Sequence, residues 1–184
     1  MSQPVILLLN GPGSAGKTSL GRALQRATEA PFLHVQMDDF LSMQPPRDDN
    51  HPETFFWETT HEDGVPLTRF HTGLRGAALM RGYRRSIAAL AGEGWNIIAD
   101  DVAVAEDIAD YRDVLAPFRL LVVKVHAPLD VLEAREEARG DRMIGLARGQ
   151  WQRVHAGVTY DFTLDTSALT PEAGAQLICE QFGL

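Results

Sequence analysis

The chain has 184 residues and a formal net charge of −8, from 25 acidic and 17 basic side chains. That length is in the range of one domain, able to bury about 70% of its extended surface, and the acidic balance argues against nucleic acid or an anionic membrane as partner. A single cysteine, Cys179, leaves no intrachain disulfide and no cysteine metal cluster, and the N-terminus has neither the basic region nor the apolar length of a signal peptide or membrane span, so the expected location is the cytoplasm.

In chain order, Val5-Ile6-Leu7-Leu8-Leu9 is an unbroken apolar run, the pattern of a strand buried on both faces. It leads into Gly11-Pro12-Gly13-Ser14-Ala15-Gly16-Lys17-Thr18, which satisfies G-x-x-x-x-G-K-[ST] at every required position. A helix-compatible stretch, Ser19 to Thr28, follows. This strand, loop and helix context is what a phosphate-binding loop requires. Backbone N–H groups of the turn cradle phosphate oxygens, the helix adds its positive dipole end, and Gly16 leaves room for close approach. Lys17 brings a charge to the β- and γ-phosphates, and the Thr18 hydroxyl joins the shell of a bound Mg²⁺. The expected ligand is therefore ATP with Mg²⁺.

Phe32 to Met37 reads as a second strand ending on Asp38-Asp39. Ligands in open α/β sheets sit at that edge, so Asp38 is a candidate general base or outer-shell metal ligand; a helix cap is its structural alternative. Leu41 to Leu67 holds four prolines, several acids and the aromatics Phe55-Phe56-Trp57 without clear periodicity, which predicts an irregular acceptor-binding loop over about 40–70. His51, His61 and His71 are too scattered for a zinc site. Phe70 to Leu90 carries apolar residues at helical spacing, with Arg75, Arg81, Arg84 and Arg85 as a solvated face. Trp95 to Ala99 is then a third strand. It ends on Asp100-Asp101, and one of these carboxylates is expected to hold Mg²⁺ directly or through water.

Val104 to Leu115 predicts a helix, Phe118 to His126 a fourth strand, and Pro128 opens another helix. Its continuation, Arg135-Glu136-Glu137-Ala138-Arg139-Gly140-Asp141-Arg142, places three arginines beside a glycine hinge. Arg135, Arg139 and Arg142 read as a lid over about 135–145 that neutralises a transferring phosphoryl group; an exposed helix end with intrahelical pairs is the alternative. Met143 to His155 predicts a further helix and Tyr160 to Thr166 a fifth strand. Thr170-Pro171-Glu172 caps the last helix. Five strands alternating with helices give one α/β domain over 1–184, three-layered, with a parallel sheet between helices.

Ala138-Arg139-Gly140-Asp141-Arg142, Gly145, Gln150, Val154-His155, Gly157-Val158, Tyr160-Asp161 and Asp165-Thr166 resemble the chloramphenicol phosphotransferase family of phosphate-loop kinases, as do Leu9-Asn10-Gly11, Ser14 to Lys17, Ile97-Ile98 and Asp100-Asp101-Val102. The likeness covers most of the chain in matching order. It implies a five-stranded sheet of order 2-3-1-4-5, ATP-dependent phosphorylation of a small-molecule hydroxyl, and Asp38 as general base. Pro12 departs from the small residue usual in the loop, and residues 40 to 70, which would shape the acceptor pocket, depart most. The expected function is transfer of the γ-phosphate to a small molecule, with an antibiotic of chloramphenicol type as one acceptor. A kinase of another metabolite or a nucleotide sugar, and a nucleotide-binding switch with weak hydrolysis, are the competing readings.

Overall fold

The computed structural model describes residues 3–140 and 143–184. Five strands form the main sheet: β1 (Val5–Asn10), β2 (Phe32–Gln36), β5 (Asn96–Asp101), β6 (Arg119–His126) and β7 (Phe162–Asp165). All neighbouring pairs run parallel, in the order β2-β5-β1-β6-β7. Counted within this sheet alone, that is 2-3-1-4-5; two further strands outside it shift the chain-order numbers.

β1 is central because it is apolar on both faces. Ile6 to Leu9 are fully buried, and alternation along the strand divides them. Leu7 and Leu9 join Leu20 and Leu24 of α1 (Lys17–Ala27), Leu132 of α5 (Leu129–Arg139) and Ile178 of α7 (Pro171–Phe182). Ile6 and Leu8 join Tyr83 and Ile87 of α3 (Leu74–Gly92) with Ile108 and Tyr111 of α4 (Ala105–Val114). Each fully buried aliphatic side chain of this kind contributes about 1.5–3 kcal/mol. Two helical layers therefore sandwich the sheet, and the C-terminal ends of β1, β2 and β5 converge on one edge.

Three expectations are corrected. Residues 41–67 are not an irregular loop. After α2 (Met37–Leu41) and a 3₁₀ turn at Pro46–Asp48, the chain makes an antiparallel hairpin of β3 (Phe55–Glu62) and β4 (Val65–Thr72). Asp63 and Gly64 link the strands with φ of 51° and 80°; positive φ at both central residues is what a tight hairpin turn demands. Phe70 consequently lies on β4, where it stacks on Phe55 with ring centroids 5.3 Å apart, and α3 begins only at Leu74. The span Met143 to His155 is likewise not one helix but α6 (Leu146–Gln150) followed by a 3₁₀ turn at Arg153–His155. Finally, Arg84 is buried. It donates to Asp107 at 3.1 Å and to Asp110, both on α4, and its guanidinium lies over the Tyr111 ring.

Candidate phosphoryl-transfer site

The loop between β1 and α1 has the shape its sequence requires. Gly16 sits at φ 86° with open space where a side chain would be. At Gly11 a Cβ would come within 2.0 Å of the Val125 carbonyl oxygen, so the loop leaves the sheet only with glycine there. α1 starts at Lys17, two residues earlier than periodicity indicates, and no side chain caps it. The N–H groups of a first helical turn have no acceptor within the helix, so they face the cavity beside the loop. The buried Ser14 hydroxyl also lacks a hydrogen-bond partner among the described residues. Lys17, almost fully buried, folds its ammonium back on the carbonyls of Gly11 and Pro12 at 2.9 and 3.0 Å. Uncapped amides, an unsatisfied hydroxyl and a buried cation make this a place for anionic oxygens.

Asp100 and Asp101 end β5 on opposite faces. Asp100 accepts from the Thr18 hydroxyl at 2.7 Å and lies 3.9 Å from the Lys17 ammonium. Burial alone would raise its carboxyl, but the His34 imidazole, the Lys17 charge and the Thr18 hydroxyl hold it below the usual range. His34 Nε2 is 3.8 Å from Asp100 Oδ2. Asp101 instead accepts from Tyr111 Oη and the Val102 N–H, each at 2.7 Å. Burial is the main cause that pushes its carboxyl up to about 6, with the Asp107 charge adding to it. Tyr111, buried beside that carboxylate, is in turn raised well above its ordinary value. Of the two expected metal residues, Asp100 thus bonds Thr18, while Asp101 borders the same cavity but is bonded to Tyr111 and the Val102 N–H.

Asp38 is displaced from its expected setting. β2 stops at Gln36, and Asp38 occupies the first turn of the short helix α2. The strand alternation expected to separate Asp38 from Asp39 therefore does not operate. Asp38 lines the same cavity as Gly13, Ser14, Gly16, Lys17, Thr18, Asp100 and Arg139; Asp39 faces the Gln36 amide at 3.4 Å. Arg135 does not join this group. It donates to the Thr166 hydroxyl at 3.1 Å and the Thr166 carbonyl at 2.7 Å, and that hydroxyl donates to the Ala15 carbonyl at 3.0 Å. Arg142 lies outside the described residues.

Two larger hollows adjoin the phosphate cavity. One of about 400 Å³ lies between Arg135, Arg139, Leu169 and Pro171. The other, of about 760 Å³, has a wall of Phe55, Phe56 and Phe70 from the hairpin and a polar side including Arg81, Asp107 and Arg153. Met37, Asp101 and Val102 border both this hollow and the phosphate cavity. Sequence reasoning singled out neither His34 nor the buried Glu136, whose carboxylate accepts the Gly145 and Ala147 N–H groups at 2.7 and 2.8 Å. Gln150, whose side-chain carbonyl accepts the Gly13 N–H at 2.7 Å, appeared only as part of a resemblance. No motif announces them; their partners lie 9 to 137 residues away in sequence.

Comparisons with known proteins agree with this geometry. A family model described as chloramphenicol phosphotransferase-like protein matches residues 4–183. A Mycobacterium tuberculosis H37Rv protein provisionally named O-phosphotransferase Rv2636 is 36% identical over 174 residues, spanning 91% of this chain and 77% of that protein. Among solved structures, the M. tuberculosis APS kinase CysC in complex with AMPPNP and APS superposes with a TM-score of 0.68 at 14% identity, over 100% of both chains. A sugar kinase from Janibacter sp. HTCC2649 does so at 0.64 and 19% identity, over 99% of this chain and 95% of that one. These neighbours establish the phosphate-loop kinase fold, and the family match establishes lineage: the chain belongs to the chloramphenicol phosphotransferase-like family, a phosphotransferase family on a kinase fold.

Proposed function

We propose that this protein transfers the γ-phosphoryl group of ATP to a hydroxyl of a small molecule. The observation that carries the reading is one cavity in which the phosphate loop, Asp38, Asp100 and Arg139 meet, bordered by the larger hollow under the hairpin. The loop amides and Lys17 bind the phosphates, and the ammonium exchanges its carbonyl partners for phosphate oxygens. Mg²⁺ fits the Thr18 and Asp100 oxygens, a hydroxyl and an ionised carboxylate; bound there, it supplies charge neutralisation for the phosphates. Asp101, whose two carboxylate oxygens already accept from Tyr111 Oη and the Val102 N–H, is the poorer ligand of the two.

Asp38 accepts the proton of the acceptor hydroxyl as its oxygen bonds to the γ-phosphorus and the bond to the ADP oxygen breaks. A positioned base of this kind contributes about 10²–10⁴-fold. Arg139, with Arg142 following it, stabilises the charge on the transferring group, the two forming the lid at about 135–145. Arg135 holds Thr166 against the loop and supports binding rather than transfer. The acceptor enters the 760 Å³ hollow, large enough for a drug-sized molecule by the usual range of ligand pockets. A chloramphenicol-type antibiotic, another metabolite and a nucleotide sugar are the acceptors to compare. The test is an ADP-release screen of hydroxylated antibiotics and metabolites with Mg²⁺, using Lys17→Ala as control. Acceptor-dependent release from wild type alone supports the proposal. Release that no acceptor stimulates, coupled to nucleotide-dependent capture of a protein, supports a switch instead.

A further inference from the structure

Gln150 stands between the two halves of the site. Its backbone ends α6, and its side chain is half-buried on the border of the hairpin hollow. The N–H of Gly13 can only donate, so the group it meets at 2.7 Å is the Gln150 carbonyl oxygen. Among the described residues the Nε2 of this carboxamide has no protein partner. The segment that opens α6 is hydrogen-bonded to β4 through Thr68. Thr68 donates from its N–H to Gly145 O at 3.0 Å and from its hydroxyl to Ile144 O at 2.9 Å. A Cβ on Gly149 would come within 2.0 Å of Thr68 O. The path from hairpin to phosphate loop is therefore continuous: Thr68, α6, Gln150, Gly13.

We propose that Gln150 is a positioning residue that couples the two: its carbonyl stands in for a phosphate oxygen on the Gly13 N–H, and nucleotide triphosphate displaces it. The displaced carboxamide carries its N–H donors into the hairpin hollow, beside an incoming acceptor. Because α6 rides on β4, filling the loop resets the wall of the acceptor hollow, which orders the reaction: nucleotide first, acceptor second. The inference rests on the reading of Gly11 to Thr18 as an ATP site, and adds to it the means by which the acceptor side learns that the loop is filled.

The test uses the full chain, with AMPPNP and ADP as probes in the presence of Mg²⁺. Calorimetry gives their affinities for wild type, Gln150→Ala and Gln150→Glu, and two-dimensional NMR on glycine-labelled protein follows the Gly13 amide. Gln150→Ala removes a hydrogen bond that binding must otherwise break, so AMPPNP binds about three- to tenfold more tightly. Gln150→Glu keeps an acceptor on Gly13 but adds a negative charge, so AMPPNP weakens, and by more than ADP does. In wild type the Gly13 amide signal shifts on adding AMPPNP; in Gln150→Ala it starts from a different position and ends at the wild-type bound one. A purely structural Gln150 would lower the melting temperature without changing the AMPPNP to ADP ratio. AMPPNP affinity in Gln150→Ala equal to or below wild type, or a Gly13 signal indifferent to the substitution, overturns the coupling while leaving the ATP site intact. Wild type that fails to bind AMPPNP at all overturns both readings.

Discussion

Replacing Gly149 and Gly82 by alanine, one at a time, tests how α6 is mounted. Both glycines are helical, and in an open helix interior alanine is favoured over glycine by about 1 kcal/mol. Gly82 on α3 is exposed and has no atom within 4 Å of an added Cβ, so Gly82→Ala realises that gain. The Gly149 Cβ would lie 2.0 Å from the Thr68 carbonyl oxygen and 3.0 Å from its carbon. Ordinary C···O contacts begin near about 3.3 Å, so α6 must retreat from β4 by roughly 1 Å. Such overpacking costs about 1–3 kcal/mol, and the Thr68 bonds to Gly145 and Ile144 lengthen with it. Against the helix gain of about 1 kcal/mol, a net loss of up to about 2 kcal/mol remains, which lowers the melting temperature by up to roughly 8 °C in a chain of this size. Calorimetric melting of the two variants beside wild type therefore gives opposite signs. A Gly149→Ala protein that melts at or above wild type refutes the close docking of α6 on the hairpin.

Lys17→Ala removes the buried cation of the loop, and the thermal shift that Mg²⁺·ATP gives the wild type should shrink to near zero; an undiminished shift would contradict the phosphate-loop assignment. Glu136→Gln leaves one acceptor oxygen where the carboxylate serves both Gly145 and Ala147, so denaturant unfolding should show a loss of about 1–3 kcal/mol. His155 is held neutral, chiefly by burial and also by the Lys124 charge, with its pKa lowered to about 4. The unfolded chain then takes up a proton at His155 below about pH 6.5 while the folded chain does not, so stability falls as pH drops from about 6.5 to 4. His155→Gln should flatten that part of the profile; an unchanged slope would show that other groups set it.

The parts of this molecule that were legible in its sequence are those whose geometry is local. The phosphate loop carries its conformation in eight residues, and β1 announces its central place by being apolar at five successive positions. The hairpin is hard to read from sequence because its strands show no clean alternation: β3 is buried only at Phe55 and mixed in exposure afterwards. Yet Asp63-Gly64 between two β-prone segments is a turn signal for positive φ, stronger than the prolines around it. Arg84 looked solvated because its partners, Asp107 and Asp110, sit on another helix. Asp38 lies one element later than the pattern indicates, since Met37 extends the apolar pattern of β2 but takes helical geometry. Glu136 and Gln150 act on backbone N–H groups, which every sequence contains, so periodicity and spacing do not mark their roles.

Phosphoryl transfer itself is measured most directly by a single turnover of γ-³²P-labelled ATP with an acceptor from the hydroxyl screen, in wild type and Asp38→Asn. The account predicts that label passes from ATP to the acceptor oxygen in wild type, and that Asp38→Asn binds ATP as well but transfers about 10²–10⁴-fold more slowly. Transfer by Asp38→Asn at the wild-type rate would contradict the base assignment, and label released only as inorganic phosphate, whatever the acceptor, would contradict the claim that this site phosphorylates a small molecule.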